Sequence, residues 1–141
     1  AFASRDFSNN IEKGMIDIEG YWIPLQFVNK TKQNKTKLSI ENWNINKKKE
    51  IILIIKNRLN FQSPLQTIKI NPLQEIILKT EHFDSVLLGS GTDRLIEQID
   101  KLNQLQKSLP NLLINTKVKI VDLKDPSKPE LKVERTLGDG K

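Results

Sequence analysis

The stretch from His82 to Asp122 limits this chain more than any other. His82-Phe83-Asp84-Ser85-Val86-Leu87-Leu88 reads as a strand ending in Gly89-Ser90-Gly91, after which Thr92-Asp93 opens a helix expected to run to about Ser108. Leu95, Ile96, Ile99, Leu102, Leu105 and Leu109 fall three and four residues apart, so one stripe of that helix is apolar, while Glu97 and Lys101 pair on its wet face. Pro110 is expected to stop the helix, because proline lacks the N–H that the ladder needs. Thr116-Lys117-Val118-Lys119-Ile120-Val121-Asp122 alternates and then turns apolar, as a buried strand does. Strand, helix and strand of these lengths predict a βαβ unit with parallel strands and a right-handed crossover.

The first half predicts further strands. Met15, Ile16 and Ile18, a turn at Glu19-Gly20, and then Trp22 to Val28 read as a hairpin, with Pro24 placing its second strand at an edge or a bulge. Leu38 to Ile45 alternates at period two. Ile51-Ile52-Leu53-Ile54-Ile55, uninterrupted and mostly β-branched, is expected to be a central strand covered on both faces. Leu65 to Ile70 is a short strand, Asn71-Pro72 the cap and first position of a short helix to about Thr80, and Leu131 to Arg135 a last edge strand. The fold class is α/β or α+β: a mixed sheet with an N-terminal hairpin, a C-terminal βαβ unit and one main amphipathic helix packed on the sheet. At 141 residues the chain is expected to form a single domain, with 1–13 and 124–141 as peripheral extensions.

Several function classes lack their chemistry. There is no cysteine, which excludes disulfides, a thiolate nucleophile and zinc-thiolate sites. His82 is the single histidine, and no hydroxyl nucleophile is placed to form a relay with it. Asp17, Glu19, Asp84 and Asp122 show no spacing that dictates acid/base work. Gly89-Ser90-Gly91 stands where phosphate loops stand, but Arg94 occupies the position of the third fingerprint glycine and no Gly-Lys-Ser/Thr follows, so Gly89 and Gly91 are assigned to a tight structural turn. We therefore expect no enzyme, no catalytic residue, no cofactor and no metal site. The longest apolar run, Ile51 to Ile55, falls far short of the roughly 20 residues that cross a bilayer, so no membrane span is expected.

The net charge of +6 raises nucleic acid as a partner. Lys30 to Lys37 and Lys47-Lys48-Lys49 could neutralise phosphates, with Trp43 between them as a stacking platform; the plainer reading is a solvated lysine loop. For a protein interface, Trp22, Trp43 and Arg94 are the candidates, since aromatics and arginine dominate hot spots. Ala1-Phe2-Ala3-Ser4-Arg5, small and free of acid, reads as what remains after a mitochondrial presequence is cleaved, or as a trimmed start.

Val86-Leu87-Leu88-Gly89-Ser90-Gly91, the helix from Thr92, and Val118 to Asp122 together resemble the small α/β domain of the mitochondrial complex I assembly factor three family. Gly14-Met15-Ile16-Asp17-Ile18-Glu19-Gly20 and Trp43 are similar to an earlier stretch of that family. The likeness covers about Gly14 to Trp43 and Asn71 to Asp122, leaves Asn44 to Ile70 as an insertion, and lacks the family's last small-residue segment, which Pro126 and Pro129 replace. It implies a non-catalytic assembly factor or accessory subunit of a respiratory complex, above all complex I. That protein would sit in the mitochondrial matrix, or on the matrix face of the inner membrane, and bind subunits of the peripheral arm. The alternative is an RNA-binding structural protein such as a mitochondrial ribosome component.

Overall fold

A computed structural model of the protein describes residues 2–7, 10–17, 19–30, 38–57, 65–81, 83–90, 93–112 and 116–135. Nine strands form one sheet: β1 (Phe2–Phe7), β2 (Asn10–Ile16), β3 (Trp22–Pro24), β4 (Ser39–Glu41), β5 (Leu65–Ile70), β6 (Ile76–Thr80), β7 (Ser85–Gly89), β8 (Thr116–Asp122) and β9 (Glu130–Arg135). Among the described residues two α-helices accompany them, α1 (Lys48–Lys56) between β4 and β5, and α2 (Leu95–Leu112) between β7 and β8. The strand order is β3-β2-β1-β4-β5-β6-β7-β8-β9. The sheet is mixed, as expected. β1 pairs parallel with β4, β4 with β5, and β7 with β8, while β2, β6 and β9 run the other way.

The predicted βαβ unit is present, with Ser85 opposite Ile120 and Val86 opposite Val121. A second unit of the same kind, β4-α1-β5, precedes it. Its existence corrects the reading of Ile51 to Ile55, which is helix and not a central strand. A short apolar run cannot be told from a buried helix segment by periodicity alone. What decides here is topology, since β4 and β5 are parallel neighbours and need a crossover that a helix supplies. Ile51 and Ile54, three apart, are fully buried, while Ile52, Leu53 and Ile55 are only half-buried.

Four further expectations are corrected. Residues 2–7, assigned to a peripheral extension, form β1 inside the sheet between β2 and β4. Asn71-Pro72 opens no helix: the Asn71 Oδ1 accepts from the amides of Leu73 and Glu75, which closes a tight turn and leads into β6, antiparallel to β5. Here the asparagine caps a turn in the way it would cap a helix, and the sequence alone does not separate the two. The main helix also continues past Pro110 to Leu112. The N-terminal hairpin is as expected, with β3 short and at the sheet edge, and β9 forms the opposite edge. From Leu25 to Phe27 the chain turns as a 3-10 helix instead of continuing β3.

One face of the sheet carries the core. Ile40, Ile68, Ile70, Ile76, Leu78, Val86, Leu88, Val121 and Leu123 are buried against Ile51 and Ile54 of α1 and Leu95, Ile99 and Leu102 of α2, as a single cluster. Cross-strand partners hold the alternate residues on the reverse face, where Glu41, Lys69, Lys79 and Lys132 are exposed and Ile77, Leu87 and Ile120 half-buried. Both helices therefore lie on the same side of the strands. Burying each of these large aliphatic side chains is worth about 1.5–3 kcal/mol, which is what holds the layers together.

Candidate functional site

Both helices begin at the edge of the sheet where the parallel strands end, and two depressions lie there. The larger, about 780 Å³, is a wide-open groove built by three turns. The hairpin turn contributes Tyr21 and Trp22, the link from β4 into α1 contributes Trp43 and Ile45, and the turn between β5 and β6 contributes Pro72 and Gln74. Each turn is fixed by its own polar groups. The Asp17 carboxylate accepts from the amides of Glu19 and Tyr21 at 2.9 Å each, and Gly20 takes a φ of +88° with the Lys48 chain packed where a side chain would stand. Asn42 and Gln74 hold φ values of 61° and 64°, left-handed conformations that non-glycine residues adopt at a cost. Asn42 Nδ2 donates to the Ile70 carbonyl, and Asn44 Nδ2 donates to Gln74 Oε1 at 2.7 Å, tying the second turn to the third.

The rim of this groove is apolar and uncovered. Tyr21 is 58% exposed and Ile45 64%. Lys48, the one charged side chain lining the groove among the described residues, sets its ammonium 4.4 Å from the centre of the Tyr21 ring, a cation–π contact. The start of α1 carries further charge: Lys47, just before the helix, lies 3.7 Å from the largely buried Glu50 and donates to the Ser90 carbonyl at 2.8 Å. That last bond joins the start of α1 to the turn that precedes α2.

The smaller depression, about 350 Å³, lies at that turn. Gly89 takes a φ of +78°, so it serves the turn by its backbone; Gly91 lies outside the described residues. Gln98, on α2, is 3% exposed and donates from Nε2 to the carbonyls of Leu88 and Leu123 at 2.8 Å each, while its Oε1 is buried with no hydrogen-bond partner among the described residues. This glutamine pins the ends of β7 and β8 together, and the βαβ reading did not single it out. The one available signal was a polar residue inside the apolar stripe, next to Ile99.

The three interface candidates have separate places. Trp22 is half-buried, with its ring over Gly14, and lines the larger groove. Trp43 also lines it but is only 7% exposed, and its backbone amide donates to the Ser4 carbonyl, so it is a core residue and no stacking platform for nucleic acid. Arg94 stands elsewhere, exposed at the start of α2, bound to Glu97 at 3.0 Å and to Asp125 at 3.1 Å. The hydrogen bonds it donates to the Glu97 carboxylate are the main reason its guanidinium holds its proton more tightly than usual. Asp125 is more acidic than an ordinary aspartate, first because the Ser127 hydroxyl and amide donate to it and then because of Arg94. His82 and residues 31–37 of the lysine-rich loop lie outside the described residues.

Among the described residues no group of three histidine or acidic side chains is placed to hold a metal ion, and no helix is long and apolar enough to cross a membrane. The fold and groove define a small α/β protein with a built, apolar-rimmed surface groove. No family model matches the chain, and no curated protein matches it.

Proposed function

We propose that this protein is a non-catalytic docking part of a larger assembly, an assembly factor or accessory subunit of a mitochondrial respiratory complex, with complex I as the assembly meant. The observation that supports the docking reading is the groove with Tyr21 and Ile45 exposed in its lining. Large apolar side chains in one concavity lose water-exposed area when a partner covers them, and the turns around them are held in left-handed backbone conformations instead of being free to collapse. The choice of complex I rests on the sequence resemblance, whose strand, glycine turn, helix and strand occur here in the same order.

The test is co-migration. A tagged chain expressed in its own cells is resolved on native gels and recovered by pull-down, then compared with the variant Tyr21→Ser/Ile45→Ser. The expected result is migration with complex I or its intermediates, reduced in the variant while the variant itself stays folded. Migration with no respiratory complex refutes the assignment to complex I; an unchanged pattern in the folded variant refutes the groove as the docking surface.

A further inference from the structure

The two edges of the sheet are unlike. β3 has three residues and ends at Pro24, which has no N–H to offer, so that edge is closed to further pairing. β9 has six residues, Glu130 to Arg135, with no proline among them, and among the described residues nothing pairs with its outer side. The register shift in the β8–β9 pair falls between Val118 and Ile120, on β8, so β9 itself runs without a bulge. An edge of this kind is a template for another strand unless charge guards it.

The exposed charges on β9 are of opposite sign. Glu130 lies opposite Asp122 and Lys132 opposite Ile120, on the reverse face of the sheet, and both are exposed. A guard of one sign would repel every copy of itself. Acid and base two residues apart do the opposite when two copies meet antiparallel. Pairing across a two-fold axis keeps side chains on their own faces, so the axis passes through a residue and opposed positions share parity. Centred on Leu131, the register sets Glu130 against Lys132 of the second copy, and by symmetry the pair occurs twice. Centring on Glu130 or on Lys132 sets like charges against each other. Leu131, opposite the buried Val121 on the helix-bearing face yet 38% exposed, gains a covering in the favourable register.

We propose that β9 is a self-association edge, through which two copies of this chain join antiparallel into one continuous sheet, with Lys132 paired to a carboxylate of the other copy. Sedimentation equilibrium of the full chain across the micromolar range is the measurement. A reversible monomer–dimer equilibrium is expected. Lys132→Glu turns two attractive cross-strand pairs into repulsive ones and weakens the dimer at least about tenfold, whereas Lys107→Glu on the exposed side of α2 leaves it unchanged. Adding Glu130→Lys to Lys132→Glu restores the two opposite-charge pairs and with them association. A chain monomeric throughout overturns the proposal. So does a dimer indifferent to Lys132→Glu, or one that the second substitution fails to rescue.

Discussion

Replacing Gln98 tests whether the pin between the two parallel strands is structural. Its Nε2 satisfies two carbonyls, those of Leu88 and Leu123, in residues that are 2% and 0% exposed. Gln98→Leu keeps the volume and removes both donors. Each buried carbonyl left without one costs about 1–3 kcal/mol, and removing the buried, unpartnered Oε1 returns a similar sum once, so the net loss is about 2 kcal/mol. For a chain of 141 residues the unfolding entropy converts this to roughly 6 °C in Tm. Gln98→Glu is harsher, because an ionised carboxylate would face two carbonyl oxygens without water. Burial and that repulsion raise the folded-state pKa of the introduced group above its unfolded value of about 4.3. A raised folded pKa means the variant is nearest to wild type in acid and loses stability as the pH rises through the raised value. Urea denaturation at a series of pH values measures both variants. If Gln98→Leu matches or exceeds wild type, or Gln98→Glu shows wild-type pH dependence, the pin has been misread.

Helix α1 is tested by the contrast between neighbours: Ile54→Ala, at a fully buried position, is expected to cost about 2–5 kcal/mol and half-buried Ile52→Ala clearly less, whereas a strand would group Ile52 with Ile54. Gly14→Ala sets a methyl 2.5 Å from the Trp22 ring and 2.8 Å from the Ile23 carbonyl, and is expected to lower Tm with a change in near-ultraviolet circular dichroism from the displaced indole. Ser127→Ala removes the leading cause of the depressed Asp125 pKa, so carboxyl NMR titration should show that aspartate moving up towards its ordinary value, with Arg94 continuing to hold it partly down.

The second half of the chain was legible because its elements are long and punctuated. Leu95, Ile99 and Leu102 fall on the buried stripe that their spacing predicts, although Ile96, assigned to the same stripe, is 49% exposed, and Gly89 turns the chain where the strand ends. The first half was not, for two physical reasons. A run such as Ile51 to Ile55 satisfies a strand and a buried helix equally well, and what separates them is the parallel pairing of β4 with β5, a contact across 28 residues that local reasoning does not see. The place of β1 is likewise set by distant partners, Met15 on one side and Ser39 on the other. The groove is the product of three turns, at 17–21, 42–45 and 71–74, distant in sequence. Trp22 could be named because it is an aromatic, but Tyr21 and Ile45 owe their exposure to where the strands put those turns.

Lys47 gives the molecule a link that neither crossover unit has alone. From the position just before α1 its ammonium donates to the Ser90 carbonyl, one residue past the end of β7. The segment that carries Ile45 and Lys48 into the larger groove is thereby tied to the turn that borders the smaller depression, so the two concavities share one bonded frame although Lys47 lines neither.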